Sequence, residues 1–136
     1  MNSFLRIIAL LICLTAAVSC SDDADKALLK DIEQYCGCKF PINSSVISNK
    51  SYSTAKVDSF VVAIQVPEKS IAELSSSIRS SAFYSETHPA LAVFNYNYKN
   101  KPVWVHDSPG YTFIGHSCKA KFDTLSGIFN YKSTSY

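Results

Sequence analysis

The chain lacks a basic stripe. Lys and Arg number 13 against 11 Asp and Glu, and the lysines are scattered, so the clustered positive charge that binds nucleic-acid phosphates is missing. A polybasic membrane-surface patch is missing too. Glycines number only 4, and they form no Gly-rich phosphate loop. Serines are plentiful, yet no Gly-x-Ser-x-Gly elbow occurs. His106 and Asp107 are neighbours whose side chains leave a strand on opposite faces, so a Ser-His-Asp triad is not indicated. Asp107 and Asp123 are the only acids among the later strands, a weak basis for paired-carboxylate chemistry. The leading apolar run is too short to span a bilayer. Fifteen residues separate Arg6 from Asp22, which at the helical rise reach roughly 22 Å against a hydrocarbon core of about 30 Å.

What is present fits one domain with a real core: 136 residues, 47% hydrophobic and 12% aromatic. Met1 to Arg6 carries one positive charge, Ile7 to Val18 is almost wholly apolar, and Ala16, Ala17 and Ser19 are small. That is the tripartite layout of a secretory signal peptide over residues 1–19. Its removal takes Arg6 with it and leaves the mature chain close to neutral.

Ala17-Val18-Ser19-Cys20 resembles the lipobox of bacterial lipoproteins, in which small residues precede an obligatory cysteine that becomes the acylated N-terminus. The departure is Ala17, where that family most often has leucine. The resemblance implies that Cys20 carries the lipid and that several acyl chains, each buried methylene contributing about 0.8 kcal/mol, hold the protein at a bilayer. Residues 20–25, Cys-Ser-Asp-Asp-Ala-Asp, are expected to form an extended acidic tether. They are also similar to the export signal of surface lipoproteins of Bacteroidota-type bacteria. The implied address is the outer membrane, on its periplasmic face or at the cell surface, and the membrane is the first partner.

The rest, residues 26–136, reads as a single α+β domain: two helices packed on a mostly antiparallel sheet with a C-terminal β-meander. Leu28, Leu29, Ile32 and Tyr35 recur at helical spacing from Asp25 to Cys36, and Gly37 supplies a stop. Lys39 to Ala55 reads as loop with at most one short strand. Its tripeptides Asn43-Ser44-Ser45 and Asn49-Lys50-Ser51 match the glycosylation pattern, which chance suffices to explain in a serine-rich loop. Lys56 to Val66 is a central strand ended by Pro67. Ser70-Ile71-Ala72-Glu73 spells a capping box before the stripe Ile71, Leu74, Ile78 and Ala82, with Ser75, Ser76, Ser77, Arg79 and Ser80 on the solvated face. After His88-Pro89 the pattern reads as β throughout: Leu91 to Tyr98, Val103 to His106, Tyr111 to Ser117, Lys119 to Asp123 and Ile128 to Tyr131, separated by Asn, Pro, Ser and Gly turns.

Cys36, Cys38 and Cys118 remain in the mature domain. Outside the cytosol, one of Cys36 or Cys38 is expected to bond Cys118, closing about 80 residues with a stabilisation on the order of 4 kcal/mol in the chain-entropy model. The Cys-Gly-Cys spacing is not that of Cys-x-x-Cys oxidoreductases. A zinc site of Cys36, Cys38, His116 and Cys118 rests on His116 and Cys118 sharing one strand face, with poor ligand spacing, and no metal or other cofactor is expected.

The aromatics fall mostly on predicted strands and belong mostly to the core. Outward-facing Tyr96, Tyr98, Trp104 or Tyr111 would form a recognition patch. The reading is therefore a lipid-anchored envelope protein with a non-catalytic binding or structural domain, its partner an envelope protein, a glycan or a host molecule. An inhibitor that presents Lys39 to Ala55 is the alternative, and an envelope enzyme built on Cys36, Cys38, His116 and Cys118 a further one.

Overall fold

The computed structural model describes residues 22–135. Cys20 and the predicted signal peptide lie outside that range. In chain order the elements are helix α1 (22–36), strands β1 (Ser45–Ser53) and β2 (Asp58–Gln65), helix α2 (Ile71–Arg79), strand β3 (Tyr84–Ser85), helix α3 (Pro89–Lys99), and strands β4 (Val103–Asp107), β5 (Gly110–Gly115), β6 (Cys118–Asp123) and β7 (Ile128–Ser135). The strands form one seven-stranded sheet in the order β1-β2-β7-β6-β5-β4-β3. All neighbours pair antiparallel except β3 and β4. The expected α+β class and C-terminal meander, β4 to β7, are present, on a larger, mixed sheet with a third helix.

Strand alternation sorts the sheet residues into two faces. One face carries Val62 and Ile64 of β2, Phe129 and Tyr131 of β7, Ala120 and Phe122 of β6, Tyr111 and Phe113 of β5 and Trp104 of β4, all buried. Ile32 and Cys36 from α1 and Leu74 and Ile78 from α2 belong to the same core. Trp104 packs on Phe113 and Phe129 at ring-centroid distances of 5.1 and 6.0 Å, and Phe40 meets Phe129 edge-on at 4.8 Å. Among the described residues, the opposite face is covered at one end only. There α3 contacts β4 and β5, and Ala92, Val105 and Ile114 are buried outside the main core.

Five local expectations change. Leu91 to Tyr98 is helix α3, not a strand. His88 caps it, its Nδ1 accepting from the Ala90 amide at 3.3 Å, with Pro89 in the first turn and Asn100 in the left-handed region at φ 54°. Lys39 to Ala55 contains the nine-residue edge strand β1, whose register slips between Val46 and Ser48. Asp22 to Asp25 is helical, part of α1, in place of an extended tether. The Ser70 capping box is not made: a 3-10 turn, Glu68–Ser70, leads into α2, and Ser70 makes no side-chain cap bond. Ser75, expected on the solvated face of α2, is buried. The Lys56–Val66 strand is realised as β2, one place in from the edge.

Gly110 opens β5 where the chain folds back against the β6–β7 turn. A Cβ there would run into the Phe122 carbonyl group and approach the Thr124 amide to 3.2 Å, both backbone atoms that cannot rotate away. Gly110→Ala is expected to lower the unfolding free energy by about 1–3 kcal/mol, the range of overpacked sites. Urea unfolding checks this as a fall in midpoint at unchanged slope.

Candidate functional site

Two places concentrate chemistry-bearing groups. The first is the thiol cluster under α1. Cys36, Cys38 and Cys118 are all buried free thiols. Burial is the largest influence on each and raises all three above the ordinary thiol value, Cys38 to about 12. Cys36 is pushed up further by Cys38 and Cys118 together, which makes it the common neighbour of the other two. The Tyr131 side chain neighbours Cys118, and burial, with Cys118 and Cys36 beside it, lifts the phenol as well. Thiols so placed are protonated at neutral pH and are poor nucleophiles.

The metal arrangement considered from sequence does not assemble. β5 ends at Gly115 and β6 starts at Cys118, so His116 lies in the hairpin turn, exposed, while Cys118 faces the core. The two share no strand face. Among the described residues, no group of three His, Cys, Asp or Glu side chains is placed to hold a metal ion.

The aromatic patch is also redistributed. Trp104 is fully buried, its Nε1 donating to the Cys36 carbonyl at 2.6 Å, and Tyr111 is 4% exposed. Neither can meet a partner, because both stand on the core face of the sheet. Tyr96 is half-buried on α3, where its hydroxyl donates to the Gly115 carbonyl at 2.9 Å. The Tyr98 side chain lies outside the described residues.

The second place is the face left open beyond α3. Register sets Lys119 of β6 directly opposite Lys132 of β7, and Lys132 opposite Val61, which in turn faces Lys50 of β1. Lys121 stands two residues along from Lys119 on the same face. All four lysines are exposed. Asp123, the acid next along β6, is engaged in its own turn: its Oδ1 accepts from the Leu125 and Ser126 amides at 2.8 and 3.2 Å, which holds its carboxyl below the ordinary value. Between α3 and the β5–β6 turn lies a cleft of about 390 Å³ lined by Tyr96, Ile114, Gly115, Ser117, Cys118, Lys119, Lys132 and Thr134.

Tyr96 and Cys118 are the sequence candidates among these. The lysine pair has a signal that composition hides: counting outward from Thr124-Leu125-Ser126-Gly127 with Asp123 paired to Ile128 brings Lys119 to Lys132. Comparison of the chain with protein-family models, characterised proteins and solved structures finds no match.

The thiol cluster sets an alkaline limit on stability. In the reduced protein Cys38 ionises near 12, against an ordinary value of 9.0 in the unfolded chain. Above pH 9 the unfolded state sheds a proton that the folded state keeps. Stability fully present below that pH is therefore lost as pH climbs toward 12, at up to about 1.4 kcal/mol per pH unit for such a thiol. Urea unfolding of the reduced protein across this window should show the loss, with a shallower limb in Cys38→Ala.

Proposed function

We propose that the chain is a lipid-anchored envelope protein whose α+β domain binds a partner at the open face of its sheet and performs no chemistry. The observation that carries the binding reading is the one-sided coverage of that face: α3 shields β4 and β5, while Lys50, Lys119, Lys121 and Lys132 stand exposed on the other strands. An antiparallel sheet is stable with one face in water, so the face is available without loss of fold. The burial and raised ionisation of the thiols favour a structural role over a catalytic one.

The anchor is Cys20, on the lipobox-like Ala17-Val18-Ser19-Cys20, and the partner an envelope protein, a glycan or a host molecule. In an oxidising compartment Cys36 is the thiol we assign to Cys118, because Cys36 neighbours both Cys118 and Tyr131, although Cys38 acts on Cys36 more strongly than Cys118 does. The inhibitor reading keeps one observation, Ile42, which is 99% exposed in a turn closed by the Ser44 amide donating to the Pro41 carbonyl at 3.0 Å. Most of the segment proposed for that role is the paired strand β1, so it ranks second.

Labelled palmitate should enter the full chain in bacteria competent for lipoprotein processing and be lost in Cys20→Ser, with protease shaving of intact cells reporting the leaflet. An unlabelled, freely soluble product in such cells would remove the anchor. Peptide mapping of the unreduced protein should recover Cys36 linked to Cys118 with Cys38 alkylatable after denaturation. A Cys38–Cys118 link would reverse that assignment.

A further inference from the structure

The lysine row contains an unfavourable arrangement that the fold does not require. Residues directly opposite on antiparallel strands have neighbouring side chains, and like charges there are destabilising. Lys119 and Lys132 are such a pair. Their other cross-strand neighbours are Ile114 and Val61, so no carboxylate stands beside either in the row. Along the strands the same-face neighbours are Lys121 for the first and Asn130 and Thr134 for the second, with Ser117 in the turn before β6. Any small polar residue would satisfy an exposed strand position. Two cations instead meet at the mouth of a cleft of about 390 Å³, a size within the roughly 300–1,000 Å³ of small-ligand sites.

From this juxtaposition we infer that the cleft between α3 and the β5–β6 turn binds a sugar phosphate, its phosphate held between Lys119 and Lys132 and its sugar ring lying against Tyr96 and Ile114. A phosphate monoester carries a charge of about −1.5 to −2 at neutral pH, which matches two lysines better than a single carboxylate does. Lysine serves phosphate as a mobile point charge. The remaining wall suits a polyol: Ser117 and Thr134 line the same space, and Ser117, held at φ 56°, is tied to β7 by the Thr134 amide donating to its carbonyl at 2.8 Å. The Tyr96 hydroxyl is engaged with Gly115, which fixes the ring as a wall. The site rests on the reading of the open face as a binding surface and names its ligand class.

The test uses the full chain in detergent with glucose 6-phosphate as the probe, beside glucose, inorganic phosphate, phosphatidylglycerol vesicles and sodium chloride of equal ionic strength. Glucose 6-phosphate is expected to raise the unfolding temperature beyond the salt control and to bind at least tenfold tighter than glucose, with Lys119→Gln or Lys132→Gln weakening it at least tenfold. Each free variant should unfold at a temperature equal to or above the parent's, since it loses a like-charge contact, so lost binding is not lost folding. No shift beyond the salt control, undiminished binding in the double variant, or binding to vesicles alone overturns the inference. Release of inorganic phosphate from the bound probe distinguishes the two layers: turnover defeats the non-catalytic reading while leaving the cleft occupied, whereas absent binding defeats the cleft and leaves the broader reading in place.

Discussion

The bond from Trp104 Nε1 to the Cys36 carbonyl, 2.6 Å long and spanning 68 positions of sequence, is the constraint on which the packing turns. Each end of it needs the other. A buried indole N–H has to find an acceptor, and the last carbonyls of a helix have no partner within the helix. Joining them fixes the end of α1 over β4. Gly37 then turns the chain away at φ 65°, with the Phe83 ring 2.8 Å from where a Cβ would sit. The same placement sinks Cys36 among Cys38, Cys118 and Tyr131. The thiols are thus neighbours as a consequence of how the helix is docked.

Docking α1 and α2 on one face determines what the other face can be. The core side takes the large aromatics, Trp104, Phe113, Phe122 and Phe129, and excludes water from them. Across the sheet, among the described residues, only α3 remains, and it is packed over β4 and β5 with Ala92, Val105 and Ile114 buried there. Its rim, where Tyr96 reaches over to Gly115, makes the cleft wall. A helix placed over β6 and β7 would have buried Lys119 and Lys132 without partners, at a desolvation cost of several kcal/mol per ion. The lysines and the partial cover are therefore mutually consistent.

Elements with one strong period were legible in sequence, and those with a mixed or diluted one were not. The β5–β7 meander reads correctly because its apolar residues alternate between turns that contain Gly or Ser. Helix α3 does not, because Ala92, Phe94, Tyr96 and Tyr98 also alternate and are flanked by Asn and β-branched or aromatic residues of modest helix propensity. Its helical signals were at the ends, His88-Pro89 before it and Asn100 after it. Strand β1, Ser-Val-Ile-Ser-Asn-Lys-Ser-Tyr-Ser, lies at the sheet edge with mostly exposed side chains, so little apolar patterning is imposed on it. The site suffers the same limit. Trp104 and Tyr111 are aromatic on either face of a strand, and which face is buried depends on where α1 and α2 dock. The lysine pair is visible only once hairpin register is known.

The helical state of Asp22 to Asp25 changes what an acidic run after Cys20 can do. Asp22, Asp23 and Asp25 belong to α1, within five residues of the cysteine we propose as the lipidation site. Their charges are repelled by anionic lipid headgroups over a Debye length of roughly 8–10 Å at physiological salt. An acyl chain on Cys20 would thus draw this segment to the bilayer while the carboxylates of α1 are pushed off it. With Asp22 to Asp25 in helix and not in coil, that opposition would act on the domain through α1.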